Sequence, residues 1–161
     1  VAERQHALAE FRRSRQPDPE CNALFGIGGA GTFSDGKLTS SVGHPWVREI
    51  FELLVEHGAA REILWDARPH VGTDVLAPLV TSLADRIRDL GGEVRTGYRI
   101  EGVVQRSGKL RALRSIEAEI PTGAAILALG HSARDSWQAL ENDGLALEPK
   151  PFQIGLRAEH P

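Results

Sequence analysis

The stretch Gly26-Ile27-Gly28-Gly29-Ala30-Gly31 satisfies G-x-G-x-x-G, and Gly31-Thr32-Phe33-Ser34-Asp35-Gly36-Lys37 overlaps it as G-x-x-x-x-G-K. Both patterns describe loops that present backbone N–H groups to phosphate. Each also demands a context. The dinucleotide fingerprint needs a strand before it and a helix opening from it. Here Pro19-Glu20-Cys21-Asn22 is turn-like, and Thr32 to Ser41 does not read as a helix. The P-loop needs Ser or Thr after its lysine to hold Mg²⁺, and Leu38 stands there instead. Glycines at 26, 28, 29, 31 and 36 still let the backbone approach a flat or anionic ligand and aim N–H groups at it. A long loop of this kind without a function is uncommon in compact domains, so ligand contact is the expectation.

A second candidate segment is Ala124 to Leu129, a continuous small and apolar run that ends in Gly130. It reads as a strand buried on both faces, with Gly130 and His131 at its carboxyl end, where open α/β sheets gather ligands. Ser132-Ala133-Arg134-Asp135 has the spacing of a helix capping box, with Asp in the place of the usual Glu or Gln. Histidines 6, 44, 57, 70, 131 and 160 share no close spacing with one another, with Cys21 or with carboxylates that would make a metal site, so none is expected. No G-x-S-x-G elbow is present, and neither Cys21 nor any serine carries the local signature of a nucleophile.

The elements that position these segments follow from periodicity and punctuation. Residues 2–15 read as a polar, Arg-rich helix with Leu8 and Phe11 as its anchors, ended by the Pro17-Asp18-Pro19 turn. A helix over 45–57 places Val47, Ile50, Phe51, Leu54 and Val55 on one face, and Gly58 closes it. The clearest helix starts at Thr73, with Val75, Leu76, Leu79, Val80, Leu83, Ile87 and Leu90 as a stripe and Gly91-Gly92 as the stop. Alternation over 93–100 predicts a strand. Short strands near 102–106, 110–115 and 117–120 form a β-meander, with turns at Ser107-Gly108-Lys109 and around Ser115. A helix over 133–143 follows, and the tail from Pro149 predicts one more strand. Helices alternating with a buried run imply an α/β fold with a parallel sheet, into which the meander is inserted.

The chain has 161 residues, 41% of them hydrophobic and 25% charged, the size and mix of one globular domain or one and a piece. A net charge of −3 gives no basic footprint for nucleic acid. No apolar run approaches the roughly 20 residues that span a bilayer, and a lone cysteine fits a reducing cytoplasm. The chain starts at Val1 and contains no methionine, which suggests a piece of a longer protein.

Five strings carry a resemblance when taken in order. They are Gly28-Gly-Ala-Gly-Thr-Phe-Ser-Asp-Gly-Lys-Leu38, Pro69-His-Val-Gly-Thr-Asp-Val-Leu76, Gly91-Gly-Glu-Val-Arg95, Ala128-Leu-Gly-His-Ser-Ala-Arg-Asp135 and Lys150-Pro-Phe-Gln-Ile-Gly-Leu-Arg-Ala-Glu-His-Pro161. Together they resemble the poorly characterised bacterial FAD-dependent dehydrogenases, from about Pro17 to Pro161. The resemblance implies a glutathione-reductase-type FAD-binding fold, a Rossmann-like parallel sheet with a β-meander crossover. It implies that Gly28, Gly29, Ala30, Gly31, Thr32, Ser34, Asp35, Gly36 and Lys37 lie along the flavin and pyrophosphate. It further implies that the backbone near Arg99 and Ile100 meets the adenine, and that Ala128, Leu129, Gly130 and His131 close over the dinucleotide, with Leu129 where the family has Thr.

The family's first strand, its own G-x-G-x-x-G turn and the acidic ribose ligand would precede this sequence. Residues 1–148 are then a partial FAD-binding domain, and 149–161 the start of a strand leading to the rest of the parent. The implied activity is flavin-dependent oxidoreduction of an unknown small molecule, with NAD(P)H a candidate electron donor and no catalytic residue assigned. The alternative is a nucleotide-binding or scaffold domain on the same fold without turnover.

Overall fold

The computed structural model describes residues 1–39, 43–151, 154, 155 and 158. It is a mixed α/β structure with four α-helices and one three-stranded antiparallel sheet among these residues. The chain forms two compact units, Val1–Gly97 and Tyr98–Pro161.

The first unit is helical. Helix α1 (Ala2–Ser14) is built from good helix formers with no internal Gly or Pro. It ends where Arg15 turns left-handed and returns its N–H to the Phe11 carbonyl. The sequence makes Leu8 and Phe11 its anchors. The structure instead buries Arg4 at 7% exposure and leaves Phe11 at 36%. A long cation therefore holds this helix, because its neighbours are backbone carbonyls rather than an apolar face. Helix α2 (Trp46–Glu56) turns Phe51, Leu54 and Val55 toward a core of Ala59, Ile63, Val71 and Leu79. Ile50, expected on the same face, is 53% exposed. Helix α3 (Thr73–Asp89) contributes Val75, Leu76, Leu79, Val80 and Leu83 to that core. Its stripe runs past the packed region, so Ile87 and Leu90 face solvent.

The second unit is the meander. Strands β1 (Ile100–Arg106), β2 (Lys109–Ser115) and β3 (Glu119–Pro121) pair in sequence order, all antiparallel. Ser107 and Gly108, at φ 53° and 70°, form the two-residue primed turn that matches strand twist. Ser115 shapes the next corner, its Oγ accepting the Glu117 and Ala118 N–H groups. Helix α4 (Arg134–Asn142) then packs on β1.

Two expected strands are not formed. Residues 93–99 form no strand, and the first strand of the sheet begins at Ile100. Residues 124–129 likewise form none, and Ile126 is 95% exposed where a doubly buried strand was expected. The physical reason is common to both: a strand interior to a sheet exists only when neighbours on each side take its N–H and C=O groups. Among the described residues no such neighbours are present, and the one sheet is antiparallel. The expected strand in the tail falls on residues 149–161. The described residues there form no strand, and the others lie outside the described residues.

Candidate functional site

The glycine loop is a shaped object whose shape comes from Arg4. The Arg4 Nε donates to the Asn22 carbonyl at 3.0 Å, and its terminal nitrogens donate to Ile27 at 2.7 Å, Ala23 at 2.9 Å and Gly29 at 2.8 Å. The guanidinium also lies 4.8 Å from the centre of the Phe33 ring, within cation–π range. Burial lowers the Arg4 pKa from its ordinary value, and Cys21 opposes the shift. The group stays cationic at neutral pH, with no carboxylate in an ion pair with it among the described residues.

Inside the loop the polar side chains serve the loop itself. Thr32, 3% exposed, donates its hydroxyl to the Ile27 carbonyl at 3.0 Å. The Ser34 hydroxyl donates to the Gly31 carbonyl at 2.9 Å and accepts the Gly36 N–H at 3.0 Å. A 3₁₀ turn over Ala30–Phe33 links them, a helical turn where the sequence predicts none. Beyond it, the backbone of Asp35–Leu38 zips onto that of Pro69–Gly72. The bonds run from Leu38 N–H to Pro69 O, Val71 N–H to Gly36 O and Gly72 N–H to Asp35 O, each 2.8–3.0 Å. Two of the five strings quoted above thus meet as one structure. Lys37 is exposed and pairs with Asp35 at 3.4 Å.

The glycines divide by what surrounds them. Gly28 sits at φ 77°, and a Cβ there would collide with the Thr32 hydroxyl and touch Val80 at 3.0 Å. The fold itself requires that glycine. Gly36 is likewise held against Leu76. Gly31 differs: a Cβ there meets nothing within 4 Å, and its backbone is not left-handed. No packing contact accounts for it.

The other predicted residues lie in the second unit. Arg99 and Asp135 form an ion pair at 2.5 Å, which ties the start of the meander to the first turn of α4. Asp135 is therefore not the far half of a capping box, and Ser132 is not the cap: the N-cap is Ala133, without a side-chain bond. The Trp137 indole N–H donates to the Gly130 carbonyl at 3.1 Å, and Gly130 itself adopts φ 75°, which fixes the bend before α4. His131 is exposed, with its Nδ1 3.5 Å from the Ser132 hydroxyl. Ala128 and Gly130 are exposed and Leu129 half-buried. So Arg99, Ile100, Gly130 and His131 belong to one neighbourhood through Arg99–Asp135, and Gly28–Lys37 to another in the first unit.

A stronger pair in the second unit was not singled out from the sequence. Asp143, just beyond α4, accepts two bonds from Arg114 at 2.9 Å and the Val103 N–H at 2.8 Å. The last of these satisfies a backbone group on the edge strand β1. Gly102 makes room: a Cβ there would collide with both Asp143 and Arg114. Burial pushes the Asp143 carboxyl up, but the Arg114 and Val103 bonds outweigh it and hold the carboxyl below its ordinary value. Arg4 was also missed. Its only trace in the sequence is that α1 has no apolar stripe, so something polar had to hold it.

Shallow depressions lie on the outer side of α2 (Trp46, Ile50 and Leu53 among glutamates), beside Val104 and Pro121, and between α1 and Cys21. None of these three is lined by the predicted ligand residues. Among the described residues no group of three or more His, Cys, Asp or Glu side chains could hold a metal ion, and no helix is long and apolar enough to cross a membrane.

No family model matches the chain. Over all 161 residues it is 36% identical to a protein of Clostridium beijerinckii that bears the name "Uncharacterized protein". The chain spans 30% of that protein's length.

Proposed function

We propose that this chain is part of an FAD-dependent oxidoreductase and contributes one wall of its dinucleotide site. The observation that carries this reading is the glycine loop. It is rigidly bonded on its inner side through Arg4, Thr32 and Ser34, yet open at Gly31, where neither packing nor backbone conformation calls for glycine. A surface that must admit a flat ligand against its backbone has such a form. The family resemblance of the same residues names the ligand as FAD.

In this reading Gly28–Lys37 line the flavin and pyrophosphate. The unpaired apolar run at 124–129 takes its place as an interior strand of a parallel Rossmann-like sheet whose neighbours come from the rest of the parent. The matched relative, more than three times as long, is in keeping with such a parent. Bound flavin would supply two-electron chemistry toward a small-molecule substrate, with NAD(P)H a candidate donor. This chain's residues bind and orient, and the exposed Lys37 and His131 are the first side chains to examine for proton transfer.

The test is the visible spectrum of the full-length parent, wild type and Gly31→Val. The wild type should show flavin bands that bleach with dithionite. Gly31→Val should lose most of the flavin and melt within about 2 °C of wild type, because its Cβ meets no protein atom. A colourless wild type that ignores added FAD, or a variant with undiminished flavin, would overturn the reading.

A further inference from the structure

We infer that Arg4 is the positioning residue of the glycine loop: by drawing four carbonyls inward it turns the loop's free N–H groups outward to the ligand. The inference rests on the dinucleotide reading above for the ligand, but on geometry for the mechanism. A trans peptide is planar, so its C=O and the N–H of the next residue point in opposite directions. No cis peptide occurs in the described chain. The carbonyls of Asn22, Ala23, Ile27 and Gly29 all point at Arg4, so the N–H groups of Ala23, Leu24, Gly28 and Ala30 point away from it. Leu24 gives its N–H to the Asn22 side chain. Gly28 and Ala30 are exposed, and their N–H groups bond to no other described residue.

The choice of residue is chemically narrow. Four carbonyls converge on three nitrogens in one plane, a task for the rigid donor fork of a guanidinium and beyond the single point charge of lysine. The loop is wrapped closely on the side chain, since a Cβ at Gly26 would lie 2.8 Å from the Arg4 Cδ. Carbonyls partly neutralise the cation, but no carboxylate among the described residues forms an ion pair with it, so positive charge stays behind the outward N–H groups. A diphosphate is the ligand chemistry that uses both features, the backbone donors directly and the cation through the loop.

The experiment uses the full-length parent with Arg4→Ala and Arg4→Lys, followed by two readouts. Hydrogen exchange in the absence of flavin should rise at least about tenfold at the bonded amides of Leu24, Gly29 and Thr32 in both variants, while those of α3 stay as in wild type. Flavin affinity, read by fluorescence quenching, should fall on the order of 100-fold, the consequence of losing one or two charge-assisted bonds. Millimolar ethylguanidinium should restore affinity to Arg4→Ala, and ethylammonium should not. Unchanged loop exchange in both variants overturns the inference. So does a loosened loop with undiminished flavin affinity. Should the wild type bind no flavin, the oxidoreductase reading falls, and loop exchange in the two variants alone decides the role of Arg4.

Discussion

Each unit of the molecule is organised by one arginine, and the two arginines are satisfied in opposite ways. Arg114 meets a carboxylate: the Arg114–Asp143 pair is neutral as a whole, takes up the Val103 N–H and leaves nothing over. Among the described residues Arg4 meets carbonyls and an aromatic face and no carboxylate, so its charge persists. The first arrangement joins secondary structure to secondary structure, α4 to β1 and β2. The second shapes a loop. A closed ion pair suits a structural joint, whereas an uncancelled cation behind free N–H groups suits a surface that receives an anion. The first unit also has an apolar core of its own, while the second leaves its most apolar run, 124–129, in water.

The largest effect should come from the core of the first unit. Leu79 is 2% exposed at the centre of the cluster, so Leu79→Ala should cost about 3 kcal/mol in urea unfolding. A loss under about 1 kcal/mol would mean that the loop is supported by something other than this core.

Next comes the ion pair, which also has a pH signature that Arg4 lacks. Asp143→Asn removes the charge under a half-exposed Arg114 and should cost about 2 kcal/mol at neutral pH, less than a fully buried pair would. The folded Asp143 carboxyl titrates below its unfolded value of about 3.9. Its contribution is therefore complete above that pH and lost as pH falls through the folded value. The stability gap between wild type and Asp143→Asn should close across that acidic window. A gap independent of pH would show that packing, not charge, makes the joint.

The smallest effect belongs to the exposed run. Ile126→Lys should change the stability of the chain by no more than about 0.5 kcal/mol, because the side chain is already in water. In a full-length parent whose sheet takes up the segment, the same change buries a charge and should cost several kcal/mol. Equal small effects in both would remove the interior-strand assignment.

Much of the architecture was legible in local pattern. The stripe at 75, 76, 79, 80 and 83 and the short strands near 102–106 and 110–115, with a turn at Ser107-Gly108-Lys109 between them, are local patterns, and these elements formed within one or two residues of those places. Alternation at 93–99 and the apolar run at 124–129 were equally clear as patterns. They did not become strands here, because a strand needs hydrogen-bonding neighbours that its own residues cannot supply. Within the candidate site, Gly28 to Lys37 could be singled out by composition. Composition could not sort Gly28, where a Cβ would meet Val80 and Thr32, from Gly31, where it would meet nothing within 4 Å.

By itself the sequence determined where helices and turns fall, since propensity, periodicity and the stereochemistry of Gly and Pro act within a few residues. Tertiary structure alone decided which polar side chains go inside. Arg4 lies 18 to 25 residues from the carbonyls it binds, and Asp143 lies 40 residues from the Val103 N–H that it accepts. A buried charge is stable only where several distant groups converge on it, and convergence is a property of the folded chain.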